Sequence, residues 1–186
     1  MRITGGKARG IPLKAPKGGT TRPATDRMRE AIFSSLGPCV KGSQVIDLFA
    51  GTGAYGLEAI SRGAVKVDFY ETDRNALTCL KQNCQAVLKS CDFEDNIVNI
   101  FARDVYAGTT GSEKAELIFI DPPYAEIETQ LEQIFQKADQ YATEDASVIL
   151  ELPGALEPKP EDWQLVRRFG KLQRDTPSAA IFKRRR

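Results

Sequence analysis

The run Asp121-Pro122-Pro123-Tyr124 carries the most specific chemistry in the sequence. It follows a strongly apolar stretch, Leu117–Ile120, which is typical of a strand buried on both faces. The two prolines fix the backbone and remove two N–H donors, so the Asp121 carboxylate and the Pro122 carbonyl form a set of acceptors. Hydrogen bonds from an exocyclic base amine to these acceptors would localise the nitrogen lone pair for attack on a methyl group, and Tyr124 could stack on the base. A rigid surface turn or a short polyproline II ligand is the alternative, which the buried strand disfavours.

A glycine-rich turn at Gly51, Gly53 and Gly56 offers a second place for chemistry. The three glycines match the pattern Gly-x-Gly-x-x-Gly, in which a strand turns tightly into a helix and the backbone can approach a nucleotide. A tight turn without a ligand would give the same pattern. Glu71 lies 20 residues beyond Gly51, the offset at which a carboxylate can accept hydrogen bonds from both hydroxyls of an adenosyl ribose. Together the two features favour a bound adenosyl cofactor.

Asp47 and Asp104 refine the kind of cofactor. Asp47 stands at the end of the strand that precedes the glycines, where its charge would oppose the pyrophosphate of a dinucleotide but suits a cationic sulfonium and ammonium. We therefore expect S-adenosylmethionine rather than NAD. Asp104 follows another predicted strand and could accept a hydrogen bond from the adenine amino group. It could equally be a loop aspartate that caps a turn, and the sequence leaves both interpretations open.

The composition excludes several mechanisms and divides the chain by charge. The 186 residues include no histidine, so an imidazole base and zinc sites with histidine ligands are excluded. The net charge of +1 conceals +6 over residues 1–30, +7 over residues 167–186 and −12 between them. For the last four residues a solvated tail is favoured, whereas the interleaved N-terminal charges favour contacts with nucleic acid. The N-terminal candidates are Arg2, Lys7, Arg9, Lys14 and Lys17.

The core elements that must position these residues follow from the periodicity of apolar residues. From residue 44 onward, strand-like runs alternate with amphipathic helical stretches, which is typical of a parallel α/β sheet. Two further runs, 163–169 and 179–183, predict a closing antiparallel pair. The predicted parallel strands are 44–49, 66–71, 96–102, 116–121 and 146–152, and the predicted helices are 54–62, 73–90 and 127–140.

The N-terminal part is predicted to differ from this core. Residues 2–14 contain the pair Gly5-Gly6, which indicates a two-residue turn in a basic β-hairpin that is separable from the core. Thr25 is expected to cap a helix that ends before residue 37, with Arg29 off its packed face.

The four cysteines show no Cys-x-x-Cys spacing, which predicts reduced, mostly buried thiols. Without a signal peptide or an apolar run of about 18 residues, we expect a soluble, cytoplasmic protein that has no contact with a membrane.

With these motifs the chain resembles the class I S-adenosylmethionine-dependent amino-methyltransferases. In particular it is similar to the bacterial RsmD-type enzymes, which methylate the N2 amine of one guanine in 16S rRNA of the small ribosomal subunit. Adenine-N6 DNA methyltransferases share only the Asp-Pro-Pro-Tyr motif, so the N-terminal motifs carry the guanine assignment. These motifs are Arg2-Ile3, Gly6-Lys7, Arg9-Gly10 and the segment 21–33, Thr-Arg-Pro-Ala-Thr-Asp-Arg-Met-Arg-Glu-Ala-Ile-Phe.

The resemblance implies a role for each candidate residue. Glu71 would hold the cofactor ribose and Asp104 its adenine. The target base would be held by Asp121, Pro122 and Tyr124. The residues implied around the methionine part of the cofactor are Asp47, Phe49, Gly51 and Gly53, with Arg22 and Thr25 on its carboxylate side. Tyr55 departs from the family, which usually has an aliphatic residue there, and its ring could alter the packing behind the glycine turn.

We therefore predict a single methyltransferase domain, residues 1–186, with a basic hairpin and loop at 1–24 and a Rossmann-like α/β core at 25–186. Its mostly parallel seven-stranded sheet would contain an antiparallel C-terminal strand. The predicted activity is methyl transfer from S-adenosylmethionine to a guanine N2 amine of 16S rRNA within a small-subunit particle. Direct in-line transfer needs no metal ion. An adenine-N6 methyltransferase and a non-enzymatic RNA-binding assembly factor remain as alternatives.

Overall fold

A seven-stranded sheet between two layers of helices forms the body of the molecule. The computed structural model describes residues 1–16, 25–107, 113–174 and 176–185. The strands are β1 (Gln44–Leu48), β2 (Lys66–Tyr70), β3 (Val98–Phe101), β4 (Ala115–Ile120), β5 (Ala142–Pro153), β6 (Trp163–Gly170) and β7 (Pro177–Arg184). The helices are α1 (Asp26–Leu36), α2 (Ala54–Ser61), α3 (Arg74–Cys91) and α4 (Tyr124–Tyr141), with short 3-10 turns at Gly37–Val40 and Asp95–Ile97.

The sheet has the strand order β3-β2-β1-β4-β5-β7-β6. The first five strands of the chain pair in parallel, and β7 runs antiparallel between β5 and β6. Parallel neighbours need crossover connections, which α2 supplies between β1 and β2 and α4 between β4 and β5. The predicted α/β fold with one antiparallel C-terminal strand is therefore confirmed. The strand order reverses between β1 and β4, the position at which sheets of this kind bind ligands.

Two apolar cores cover the two faces of the sheet. Alternate residues of β1 belong to different cores, with Val45 in the first and Ile46 in the second. The first core lies under α1, α2, α3 and the N-terminal segment, and the second lies under α4. Central strands are thus buried on both faces, which is why their sequences lack polar alternation.

The N-terminal segment, residues 1–16, folds back on itself as the predicted hairpin, with the Ile3 amide donating to the Ile11 carbonyl at 2.9 Å and the Leu13 amide to the Met1 carbonyl at 3.1 Å. An isolated antiparallel bridge joins Arg2 to Pro12, and a wide loop replaces the predicted two-residue turn. A two-stranded hairpin alone is marginal in water, and packing of its apolar side chains against the helices stabilises it. The buried side chains of the segment are Ile3, Ala8 and Leu13.

Helix α1 confirms the predicted boundaries but not the predicted exposure. The Thr25 side chain accepts a hydrogen bond from the Met28 amide, and the helix ends at Leu36. Arg29, which the sequence placed off the packed face, is fully buried. Its guanidinium contacts Asp26 at 3.0 Å and Glu58 at 3.6 Å. A buried charge needs such partners, and Glu58 lies too far along the chain for local periodicity to reveal the pair.

Two predicted boundaries shift because of local backbone chemistry. Helix α4 begins three residues early, at Tyr124, because the Pro123 carbonyl accepts a hydrogen bond from the Glu126 amide and starts the first turn. Strand β5 begins at Ala142, which pairs with Ala115 ahead of a register shift in the ladder.

The four cysteines are free thiols. Cys84 and Cys91 are buried, whereas Cys39 is exposed and Cys79 is half-buried. The helices of the described residues include none that is long and apolar enough to cross a membrane.

Candidate active site

The glycine turn between β1 and α2 lies at the carboxyl end of the central strand. Three alternate residues, Phe49, Gly51 and Gly53, have positive φ angles of 61°, 55° and 83°. Glycine adopts these angles freely, whereas a non-glycine residue such as Phe49 pays roughly 1–3 kcal/mol of strain. A Cβ atom added at Gly51 would meet nothing within 4 Å, so the backbone there faces open space. A nucleotide could approach this backbone closely.

Glu71 borders the same turn from the neighbouring strand. Its Oε2 atom accepts a hydrogen bond from the Gly51 amide at 2.7 Å, and its Oε1 atom accepts from the amides of Thr72 and Asp73, also at 2.7 Å. The three donors fix the orientation of the carboxylate. A carboxylate has about four acceptor positions, so roughly one remains for a ligand hydroxyl. The side chain is half-buried and can still reach a ligand.

Asp47 lies behind the turn. It is 1% exposed, and its Oδ2 atom accepts a hydrogen bond from the Gly56 amide at 2.9 Å in the first turn of α2. Burial raises the pKa of Asp47 well above its usual range, and the carboxylates of Asp121 and Glu71 raise it further. The side chain therefore supports the turn and contributes to the local potential without facing the open space itself.

The run from Asp121 to Tyr124 leads from β4 into α4. The Asp121 amide donates to the Leu48 carbonyl at 3.4 Å, which ties the run to the end of β1. The Asp121 carboxylate is half-buried, and no described residue donates a hydrogen bond to it. Burial raises the pKa of Asp121 well above its usual range, and Glu151 adds to the rise. Tyr124, at the first position of α4, is 38% exposed.

Sequence reasoning missed the partner of Tyr55. The Tyr55 hydroxyl donates to Oε1 of Glu151, which is 2% exposed on β5. The Tyr55 ring stacks on Phe119 with centroids 5.0 Å apart. Burial raises the pKa of Glu151 to about 7. A carboxylate directly after the apolar run 148–150 was the available signal, since such a residue rarely lies in a strand core without a partner.

The loop after β3 reaches the glycine turn through aromatic contact. Asp104 is exposed, and its Oδ1 atom accepts a hydrogen bond from the Tyr106 amide at 2.8 Å. It therefore caps a turn, which is one of the two interpretations that the sequence left open. The Tyr106 ring meets Phe49 edge-on with centroids 6.1 Å apart.

The basic N-terminal residues are spread along the length of α2 and α3. Lys14 lies near the glycine turn, because its backbone pairs with Asn83, whose Nδ2 atom also donates to the Thr52 carbonyl at 3.0 Å. The Lys7 amide instead donates to the carbonyl of Ser61, at the far end of α2. These two lysines therefore cannot both lie beside the turn.

The remaining candidates have separate positions. Arg2 forms an ion pair with Asp26, and Arg9 is exposed. Thr25 is exposed at the start of α1. Arg22 and Lys17 lie outside the described residues.

Four neighbouring strands each end near a carboxylate. Glu71 follows β2, Asp47 lies in β1, Asp121 follows β4 and Glu151 lies in β5. The carboxyl ends of parallel strands meet at one edge, so the four groups surround the glycine turn. Carboxyl oxygens beside open glycine backbone fit a cofactor with a cationic sulfonium and adenosyl hydroxyls, and they do not fit an anionic pyrophosphate.

This fold and this edge of the sheet define a class I methyltransferase fold. The structure of "Putative methyltransferase yhhF" from Escherichia coli superimposes with a TM-score of 0.80 at 28% identity, covering 99% of this chain and 97% of that one. A methylase structure from Haemophilus influenzae gives a TM-score of 0.75 at 24% identity and covers 99% of this chain and 98% of that one. The second similarity concerns the fold alone.

The chain belongs to the family described as "Conserved hypothetical protein 95", whose model matches residues 1–174. "Putative rRNA methyltransferase YlbH" of Bacillus subtilis is 34% identical over 157 residues, which is 81% of this chain and 82% of the relative. "Ribosomal RNA small subunit methyltransferase D" of Escherichia coli is 40% identical over 126 residues, 67% of this chain and 60% of the relative. The match thus spans about three-fifths of the Escherichia coli protein. The family that the sequence motifs indicated is confirmed.

Proposed function

We propose that this protein transfers a methyl group from S-adenosylmethionine to the N2 amine of one guanine in 16S rRNA, within a small-subunit particle in the cytoplasm. One observation carries the proposal: the Asp121 carboxylate, which receives no hydrogen bond from the described residues, lies beside the open glycine turn. Relatives named for methylation of small-subunit rRNA support the choice of substrate.

The run after β4 would hold the target amine. The Asp121 carboxylate and the Pro122 carbonyl accept hydrogen bonds from its two protons and draw the lone pair onto nitrogen. The Glu126 and Ile127 amides donate to the Pro123 carbonyl, which leaves that of Pro122 for the base. The half-exposed ring of Tyr124 stacks on the base once it has left its helix. Alignment of the amine supplies most of the rate.

The cofactor would lie across the glycine turn. S-adenosylmethionine supplies an electrophilic methyl group on sulfur when it is bound. Gly51 presents open backbone, and Gly53, packed against Leu80, supplies the tight turn, with Phe49 beside them and Asp47 behind. Glu71 offers one acceptor position to the ribose. We assign the adenine end to Asp104 and the carboxylate end to Arg22 and Thr25.

The basic N-terminal segment would contact RNA phosphates. Because its apolar side chains enter the core, we infer that residues 1–186 act as one domain. Lys14, near the glycine turn, would contact phosphates beside the target guanine, while Arg2, Lys7 and Arg9 would contact more distant ones, and Lys17 is a further candidate for a phosphate contact. Lys14→Gln should therefore raise the KM for rRNA about threefold, and Lys7→Gln should raise it less. Lys114 directly precedes β4, at the end of the strands opposite the glycine turn, so Lys114→Gln is the control.

The test is transfer of labelled methyl groups to small-subunit particles and to free 16S rRNA from cells that lack the protein. Digestion to nucleosides and mass spectrometry should identify N2-methylguanosine. N6-methyladenosine in rRNA or DNA would favour the adenine-N6 alternative. Cofactor binding with no transfer to either substrate would contradict the proposed activity and favour an RNA-binding assembly factor.

A further inference from the structure

Glu151 faces Asp121 from the neighbouring strand. Ile120 pairs with Leu150 in the parallel ladder, so Asp121 and Glu151 follow at the same level of the sheet. Phe119 and Ile149, two residues earlier in each strand, lie in the core under α1, α2 and α3. Side chains two residues apart share a face of a strand, so both carboxylates point to that side.

The surroundings of Glu151 contain few groups that could compensate its charge. Tyr55 of α2 donates a hydrogen bond, Arg29 of α1 favours the charged form from a distance, and Asp47 of β1 opposes it. On β7, the residue paired with Glu151 is Ala179, which carries no charge. Among the described residues, Asp121, which follows β4, is a further titratable neighbour. Glu151 is thus a buried carboxylate that one hydroxyl holds in place.

We propose that Glu151 is a positioning residue for methyl transfer: anchored by the Tyr55 hydroxyl on the strand next to Asp121, it sets the charge of the Asp121 carboxylate. This inference rests on the proposed function, in which Asp121 accepts a hydrogen bond from the target amine. A buried and a half-buried carboxylate that lie next to each other repel when both are charged, so the pair retains a proton to higher pH than an isolated aspartate would.

The arrangement predicts how the rate depends on pH. A protonated Asp121 loses acceptor capacity toward the amine, so the rate should rise as the pair loses its proton. Removal of the Glu151 charge lets Asp121 ionise at lower pH. Removal of the Tyr55 hydroxyl makes Glu151 itself harder to ionise. Asp121 then also ionises at lower pH, but by a smaller amount.

Single-turnover methyl transfer to small-subunit particles, measured between pH 5.5 and 9 at saturating S-adenosylmethionine, tests this relation. Glu151→Gln should move the acid limb of the profile down by about one pH unit, and Tyr55→Phe by about half as much. Tyr55→Phe keeps the ring that stacks on Phe119, so it serves as the test if Glu151→Gln unfolds. Glu144→Gln, an exposed change on the same strand, is the matched control.

The outcomes separate this inference from the function on which it rests. Three results together support the role of Glu151. The wild type transfers methyl groups, Asp121→Ala does not, and the pH profiles of Glu151→Gln and Tyr55→Phe are both shifted. If both variants follow the wild-type profile while Asp121→Ala is inactive, the positioning role is overturned and the methyltransferase function stands. If the folded, cofactor-binding wild type transfers no methyl group at any pH, both are overturned.

Discussion

The carboxylate of Glu58 and the pair formed by Asp121 and Glu151, all at least half-buried, have opposite surroundings. Glu58 on α2 is fully buried and accepts hydrogen bonds from the Thr4 amide and hydroxyl, the Gly5 amide and the Arg62 guanidinium at 2.7–2.8 Å. Arg29 adds an ion pair at 3.6 Å. By contrast, Asp121 and Glu151 lie on neighbouring strands, and among the described residues the Tyr55 hydroxyl is the one hydrogen-bond donor to the pair.

The difference separates two uses of a buried charge. Donors that fill every acceptor position make Glu58 a joint between the N-terminal segment, α1 and α2. Asp121 retains acceptor capacity at the edge of the sheet, where a ligand can supply the missing donors. Burial alone therefore does not distinguish a structural carboxylate from a functional one, whereas the number of donors around it does.

Removal of the donor-rich carboxylate should have the largest effect. Glu58→Ala leaves Arg29 buried without its partner on α2 and frees the loop at Thr4, so we expect a loss of about 3–5 kcal/mol in the free energy of unfolding. Urea denaturation measures it, with the exposed Glu144→Ala as the control. A loss similar to that of the control would mean that Glu58 is not a joint.

Glu151→Gln should change the pH dependence of stability. Because its pKa is raised from 4.5 to about 7, folded Glu151 keeps a proton that the unfolded chain releases, so wild-type stability falls as pH rises through this window. The variant lacks this loss and should gain about 3 kcal/mol relative to the wild type between pH 4.5 and 8. Urea titrations at several pH values measure the difference. If the stabilities of the variant and the wild type depend on pH in the same way, the charge of Glu151 is fully compensated in the folded protein.

Asp121→Ala should separate activity from stability. We expect turnover to fall about 100-fold, the scale of losing one preorganised polar contact, while the melting temperature and cofactor affinity stay near those of the wild type. No described residue donates a hydrogen bond to the Asp121 carboxylate, so its removal breaks none of the hydrogen bonds that hold the fold. Single-turnover assays and thermal unfolding measure the two quantities. A lower melting temperature of the variant, with normal methyl transfer by its folded fraction, would contradict the prediction.

Glu71 is intermediate between the two groups, with three amide donors and about one free acceptor position. Glu71→Ala should weaken S-adenosylmethionine binding by about 1.5–3 kcal/mol in titration calorimetry, because a charge-assisted contact with the ribose is lost. Asp73→Ala, which removes the cap of α3, controls for loss of local structure. If Glu71→Ala and the wild type bind S-adenosylmethionine with equal affinity, Glu71 stabilises the turn and does not contact the ribose.

The sheet and the motif residues could be predicted from the sequence, because apolar runs and glycine or proline turns act over short distances along the chain. The contacts of the buried charges could not. Tyr55 and Glu151 are 96 residues apart, and Thr4 and Glu58 are 54 apart. No periodicity links such residues, so the sequence indicated that Asp121 and Glu71 lie at one edge but not which donors surround them.

The packing of the N-terminal hairpin against the helices was not predicted, for a related reason. Basic residues between glycines and prolines suggested a free hairpin, yet Ile3 and Leu13 each needed a partner surface on helices formed later in the chain. Asp47 shows the same limit, since its position in the motif was clear but its hydrogen bond to Gly56 was not.

The position of β7 determines when this protein can finish folding during synthesis. β7 pairs with both β5 and β6, and β6 forms the outer edge of the sheet beyond it. While residues 177–184 remain in the ribosomal exit tunnel, β6 has no strand to pair with, although β1 to β5 can already assemble. The nascent chain therefore exposes the open side of β5 until β7 has emerged from the tunnel, which makes this interval the one most vulnerable to strand-to-strand aggregation.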